Sequence, residues 1–437
     1  MTIRNTLQAA LLAAIAATSV TALADGTSKQ TKFTIAAIPD TQNYVDYSHQ
    51  KNEGFPFDGN DMFQQQMQYI ADHVQSNGGD IAFVDGLGDN WQHQTKLIDP
   101  EHAARGFARL PNSILDKFFA PTEKVHTVEM PFVKTGWELL NGKVPFSVVP
   151  GNHDYDSMWP DSKHPQAAQI NPKDLSTLGV LHSGGLDNWR TVFGADTDLF
   201  KGKSWYVASH DGGADSAQIF SAGGYRFLHI GLQFDAPNAS LAWAESIIKQ
   251  YPGLPTIVTT HDYLDTDASR VPNPLIDNHA VDPEDNTPQM VWDKFISQHD
   301  QIFLVLCGHE HGENMRVDPN KFGHKVWQVL ADYQDRSQTA LDAGAKPPSP
   351  GYPIGMGDGW FRLMSFDFGA RTPTITVKTY SSAYGKYSGD TAQYAQWYRA
   401  GEQPQMSDEE FYQHADFVID LDDFRARFDK VKAAHAR

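Results

Sequence analysis

The sequence predicts an α/β fold, and three observations predict it. Short apolar runs rich in Val, Ile and Phe recur along the chain and stop at polar clusters. Continuous runs of this kind read as strands buried on both faces. Helical patterns separate several of them, which is the signature of a sheet covered by helices. Groups able to bind a ligand stand where the runs end, and ligands of open α/β sheets gather beyond the carboxyl ends of strands.

In chain order, strands are expected at residues 33–38, 81–84, 144–149, 227–232, 256–260 and 302–306, with helices at 62–75, 240–250 and 290–298. After residue 320 the rhythm changes. Runs at 325–331, 361–366 and 374–380 follow one another with no clear helix between them, so antiparallel neighbours are expected. Residues 339–359 are rich in Gly and Pro and read as a long loop. Residues 95–140 and 155–205 are irregular insertions, of a size that often shapes the mouth of a site. In the tail, 386–437, a strand is expected at 417–421. Asp422 or Asp423 would then cap a final helix to about His435.

The chain has 437 residues, 54 acidic against 35 basic side chains, and one cysteine. The length reads as one large domain over residues 30–385 with two insertions and the short tail. A net charge of −19 argues against bulk nucleic-acid binding, which needs clustered Lys and Arg. The single Cys307 excludes an intramolecular disulfide framework and a Cys-rich zinc module, and reads as a small buried hydrophobe. Residues 1–24 carry Arg4, an apolar run at 9–17 and then Ala22-Leu23-Ala24, the pattern of a secretory signal peptide. The run is short of the roughly 20 residues a membrane span needs. The protein is therefore expected to be exported, to the periplasm or the medium, with no membrane span.

Chemistry concentrates at the strand ends. The first strand runs into Asp40-Thr41-Gln42 and the second into Gly88-Asp89-Asn90. The third runs into Gly151-Asn152-His153-Asp154, the fifth into His261-Asp262, and the sixth into Gly308-His309-Glu310-His311. These are carboxylate, amide and imidazole donors with no thiolate, a set that suits Zn, Mn or Fe. In an extended segment His309 and His311 face the same way. A carboxylate such as Asp89 has two oxygens and can bridge two ions.

In their order and combination, Gly151-Asn152-His153-Asp154 and Gly308-His309-Glu310-His311, preceded by Asp40-x-Gln42 and Gly88-Asp89, resemble the calcineurin-like metallophosphoesterase superfamily. Pro39-Asp40-Thr41-Gln42 is similar to a bacterial exported branch with Gln where the family more often has His. Residues 331–334 and 379–381 also resemble that branch. The likeness covers residues 33–382. It implies a sandwich of two packed mixed β-sheets flanked by helices (αββα) and two metal ions, of Mn, Zn, Fe or Mg. By motif position, Asp40, Gln42, Asp89 and His311 would hold one ion, and Asp89, Asn152, His261 and His309 the other. His153 would bind no metal and would protonate the leaving oxygen. The implied reaction is hydrolysis of a small phosphate mono- or diester by hydroxide held between the ions.

The chain departs from that family at two amides. Gln42 offers a neutral oxygen in place of an imidazole, which favours a harder ion such as Mn or Mg. Gln92 stands where many relatives have an Asp that supports the catalytic His, leaving Asp154 and His93 as substitutes. A narrower phosphodiesterase or nucleotidase is the alternative within the class. Outside it stands a secreted, non-catalytic binding protein with a degraded metal site. Tyr44, Tyr333, Gln334 and Tyr384 read as sheet packing rather than pocket lining, and residues 210–213 as a turn. His73, His102 and His229 read as ordinary surface or core positions, and the acidic stretch 262–285 as facing solvent.

Overall fold

Strand β1 (Lys32–Ile38) shows how the layers arise. Phe33, Ile35 and Ala37 join one apolar cluster while Ala36 and Ile38 join another, the two-residue period of a strand with two buried faces. A computed structural model describes residues 30–171, 174–348 and 353–435. The expected signal peptide, 1–24, lies outside the described residues.

The further strands are β2 (Ile81–Gly86), β3 (Phe146–Val148), β4 (Ser157–Pro160), β5 (Leu181–Gly184), β6 (Tyr206–His210), β7 (Asp215–Ala222), β8 (Tyr225–Gly231), β9 (Thr256–Thr259), β10 (Ile302–Cys307), β11 (Gly312–Pro319), β12 (Lys325–Asp332), β13 (Trp360–Asp367), β14 (Thr374–Ser381), β15 (Lys386–Tyr387) and β16 (Phe417–Asp420). One mixed sheet runs β15-β14-β13-β1-β2-β3, with β16 also beside β14. A second runs β11-β12-β10-β9-β8-β7-β6, and β4 and β5 pair separately. In the first sheet β1, β2 and β3 are parallel. In the second, β8, β9, β10 and β12 are parallel.

The two large sheets pack face to face on an aromatic layer. Phe33 of β1 stacks on Phe366 of β13 with ring centroids 4.6 Å apart, and Phe83, Phe220, Phe227 and Phe303 fill the same layer. Each such buried ring contributes about 1.5–3 kcal/mol. Helix Gly59–His73 covers the outer face of the first sheet with Phe63, Met67 and Ile70. Helix Asn238–Gln250 covers the second with Leu241, Ala244, Ile247 and Ile248, an apolar stripe at helical spacing. The fold is thus mixed α/β, two packed mixed sheets flanked by helices.

Several expectations need correction. The run at 325–331 is β12, which lies parallel to β10 rather than in a purely antiparallel array. Residues 206–210, 215–222 and 312–319 form strands that their polar residues conceal, and β6 and β11 lie at the two ends of the second sheet's strand order. The insertions are not wholly irregular. They hold helices Pro100–Ala104, Met130–Glu138 and Asp187–Phe193 and the β4–β5 pair. The acidic stretch does not lie wholly in solvent: Asp262, Asp282 and Asp285 are buried. In the tail, Phe424 and Phe428 of helix Phe424–His435 enter the layer between the sheets. Among the described residues no helix is long and apolar enough to cross a membrane.

Candidate metal centre

The carboxyl ends of β1, β2, β3, β9 and β10 meet at one edge of the sandwich. The loops after them carry Asp40, Asp89, Asn152, His261 and His309, all buried. Two of these residues sit in the left-handed region, Asp89 at φ 50° and His309 at φ 73°. Non-glycine residues rarely adopt it, and such strain gathers at functional sites. Glycines allow the loops to close on one another. A Cβ on Gly151 would lie 2.2 Å from Asp89 Oδ1, and one on Gly308 would lie 2.2 Å from Asp40 Oδ1.

His261 is at the centre. Its Nε2 lies 3.1 Å from Asn152 Oδ1, 3.2 Å from His309 Nδ1, 3.3 Å from Asp89 Oδ1 and 3.9 Å from Asp40 Oδ2. Its Nδ1 donates to the Leu87 carbonyl at 2.8 Å, which turns Nε2 toward Asp89 and Asn152. That outer hydrogen bond is the usual way a ligating imidazole is oriented. One ligand atom from each of Asp89, His261 and His309 lies within 4.8 Å of the others. This buried Asp/His group can hold a metal ion.

A second lobe starts at the other oxygen of Asp89, which accepts from Gln42 Nε2 at 3.1 Å. Gln334 touches both Gln42 and His311 through its amide. His311 sits at the rim with 45 % of its side chain exposed, and its Nδ1 is 2.6 Å from Asp335 Oδ2. The structure therefore does not bring His311 directly onto Asp40 or Asp89; Gln334 stands between. Asp332 is buried beneath Gln334 and accepts its backbone N–H at 2.8 Å.

Among the described residues, buried atoms of this edge without a hydrogen-bond partner include Gln42 Oε1 and Asp332 Oδ2. His309 turns Nδ1 toward His261 and its unbonded Nε2 toward Glu310, 4.0 Å away. Each such atom costs about 1–3 kcal/mol unless something satisfies it. Open oxygen donors beside buried imidazoles suit a divalent cation. The neighbouring charges push these groups in different directions. Burial lowers His261 and His311, but Asp89 and Asp335 respectively outweigh it and raise them. Burial and the neighbouring Asp332 and Asp89 push the Asp40 carboxyl well above its usual range. Burial also acts on Asp89, but the imidazoles of His261 and His153 outweigh it and hold Asp89 below that range. Burial and His261 push His309 well down, so its imidazole is neutral, the form that binds metal.

His153 adjoins the group without joining it. Its backbone N–H donates to Asp89 Oδ1 at 2.9 Å, and its ring Nδ1 donates to the Gln92 carbonyl at 2.6 Å. Neither expected substitute supports the ring. Asp154 accepts from the backbones of Gly151 and Asn90 and from the Asn90 amide, and burial together with Asp89 raises its carboxyl to about 7. His93 bonds Glu129. The Gln92 backbone does what its side chain cannot, and no residue code announces a carbonyl.

Other expected residues fall as follows. Tyr44 and Tyr333 are buried in packing, with hydroxyls bonded to Gly359 and Glu313. Tyr384 packs on Trp360 and Trp397. Gln334 instead belongs to the site. Cys307 is buried, and its thiol meets the Val329 carbonyl. Residues 211–213 form a turn, flanked by a bond from His210 to Asp215. His229 is a core residue that ties β8 to Asp85 of β2 at 3.0 Å. His102, read as ordinary, lines a cavity of about 460 Å³ with Asp99, Tyr155, His182, Gln233 and Asp285. None of the strand-end donors lines that cavity. Asp332 is the site residue the sequence reading left without a role. Its signal was a lone Asp closing a buried run.

No protein-family model matches the chain. The chain is 21 % identical over 355 residues to the uncharacterized protein YvnB of Bacillus subtilis. That alignment takes in 80 % of this chain and 20 % of YvnB, so the chain spans about a fifth of that relative's length. Among solved structures it is similar to GAP50, the anchor in the inner membrane complex of Plasmodium. The TM-score is 0.35 at 10 % identity, over 81 % of this chain and 86 % of that one.

Proposed function

We propose that the protein is an exported, dinuclear metal-dependent phosphoesterase that hydrolyses a small phosphate mono- or diester. The observation that carries this reading is the meeting of Asp40, Asp89, Asn152, His261 and His309 at one sheet edge, with His153 docked on the same Asp89. Asp89, Asn152, His261 and His309 would hold one ion. Asp40, Gln42 and Asp89 would hold the other, with Gln334 and His311 at its rim. Bound divalent ions supply the positive charge that lets a phosphate ester accept a nucleophile, and they make hydroxide available near neutral pH.

The chain's own residues do the rest. The Gln92 carbonyl engages the His153 Nδ1–H, which leaves Nε2 to hold a proton and release it to the departing oxygen. Burial of the donors keeps bulk water from screening them. Gln42 donates its amide nitrogen to Asp89, and its oxygen is the atom it would offer an ion. That lobe, built from carboxylate and amide, favours Mn or Mg, while the lobe with two imidazoles favours Zn or Fe.

The test is metal analysis of the mature protein, followed by turnover of p-nitrophenyl phosphate and its bis ester after reconstitution with Mn, Zn, Fe or Mg. Two ions per chain and turnover of either ester support the proposal. Turnover of the bis ester alone favours a narrower phosphodiesterase. Tight metal binding with no turnover of any ester would leave a secreted binding protein in its place.

A further inference from the structure

We infer that Glu129 is a positioning residue for His153, acting through the main chain of Gln92; the inference rests on the reading of His153 as proton donor. Glu129 closes the π-type turn Val125–Glu129 at the head of helix Met130–Glu138, inside the first insertion. Its side chain is fully buried. Oε1 accepts from His93 Nδ1 at 2.7 Å and from the Tyr47 backbone at 3.3 Å. Oε2 accepts from the backbone N–H groups of His93 and Gln92, at 3.1 and 3.3 Å. Four donors thus converge on one carboxylate. Two of them are the N–H groups on either side of the Gln92 carbonyl, the carbonyl that accepts a hydrogen bond from His153 Nδ1–H at 2.6 Å.

Asp46, His93 and Glu129 are close enough to suggest an ion site of their own. The Glu129 carboxylate is already engaged. Both Glu129 oxygens accept N–H groups, and Asp46 Oδ1 caps the Ser48 backbone at 2.7 Å. The group is a clamp on the loop after β2. By fixing the direction of the Gln92 carbonyl it fixes which ring nitrogen of His153 carries the permanent proton. A glutamine at 129 has one oxygen and an amide nitrogen that repels N–H donors, so it cannot satisfy all four.

The experiment compares esters whose leaving groups do and do not need a proton. p-Nitrophenolate departs unaided, whereas a benzyl alkoxide must be protonated. The readout is the ratio of kcat/KM for p-nitrophenyl and benzyl phosphate, or for their methyl diesters. A ratio does not depend on the fraction of enzyme that is folded. Both Glu129→Gln and His153→Ala should raise it, Glu129→Gln by about 10–100-fold, the range for outer-shell partners. His93→Phe, which removes one donor, should raise it less. In ¹⁵N spectra the His153 imidazole should be the Nδ1–H tautomer in the wild type and a mixture in Glu129→Gln. If His153→Ala raises the ratio while Glu129→Gln leaves ratio and tautomer unchanged, Glu129 only builds the fold and the inference fails. If His153→Ala itself leaves the ratio unchanged, His153 is not the donor and both readings fall.

Discussion

Asp89, His261 and His309 form one buried group of acid and imidazole, and Asp46, His93 and Glu129 form another. Each brings three possible ligand atoms within 4.8 Å of one another, one carboxylate and two imidazoles in the first and two carboxylates and one imidazole in the second. They differ in what their atoms already hold. In the second group backbone and ring N–H donors fill both Glu129 oxygens. Beside the first, the buried oxygens Gln42 Oε1 and Asp332 Oδ2 have no hydrogen-bond partner among the described residues. The first also holds two residues at positive φ and is lined by glycines that admit no Cβ. In the second group four N–H donors converge on Glu129. In the first, the surrounding fold holds two of the residues at strained, positive φ. Unfilled donor capacity, rather than a tally of Asp and His, marks a site for an ion.

That contrast can be broken experimentally, and the largest effect is expected at Asp89. Asp89→Asn should lower metal stoichiometry and reduce kcat/KM by about 10⁴-fold, because ion-derived stabilisation is worth several kcal/mol. His93→Gln in the other group should leave metal stoichiometry unchanged. Equal metal loss from both would erase the distinction. His153→Ala should lower kcat by about 10²–10⁴-fold on an ester with a poor leaving group, with metal content intact. Metal loss in that variant would make His153 a ligand instead.

Gln334→Ala sharpens the boundary of the first group. If Gln334 belongs to its second lobe, competition with a chelator should show about 10–100-fold weaker binding of one of two ions. Unaltered affinity for both would return Gln334 to packing. The smallest effect concerns stability. Burial lowers the His93 pKa, but the bond to Glu129 outweighs it, so the folded value is raised. A raised imidazole stabilises the fold fully below its ordinary value of about 6.5, and the contribution is lost as pH rises through the folded value. His93→Gln should therefore be less stable than wild type by about 1–2 kcal/mol in acid, with the gap closing in base. Urea midpoints on either side of pH ~6.5 read this, and a gap that widens with pH would contradict it.

Much of the first group is legible in the sequence because each donor closes a buried apolar run. Asp40, Asp89, Asn152, His261 and His309 are polar residues where a strand must stop, and glycine or a turn residue stands beside most of them. His311 shows the limit of that logic. Its two-residue spacing from His309 assumes extended backbone, but His309 is at φ 73° and turns the chain, so His311 goes to the rim and meets Asp335. The acidic stretch misleads for a related reason. Asp282 and Asp285 look solvated, yet each is buried against a base, Arg105 and His182, supplied by a distant insertion.

From the sequence alone follow the α/β class, most of the strands and the chemical types of the donors, since these depend on periodicity and neighbours a few residues apart. Which donors meet follows from pairing. Asp89 and His261 come together because β1, β2 and β3 end at the same edge as β9 and β10 in the opposing sheet. The support of His153 was settled at the same level. A backbone carbonyl is common to every residue, so only the fold could select that of Gln92.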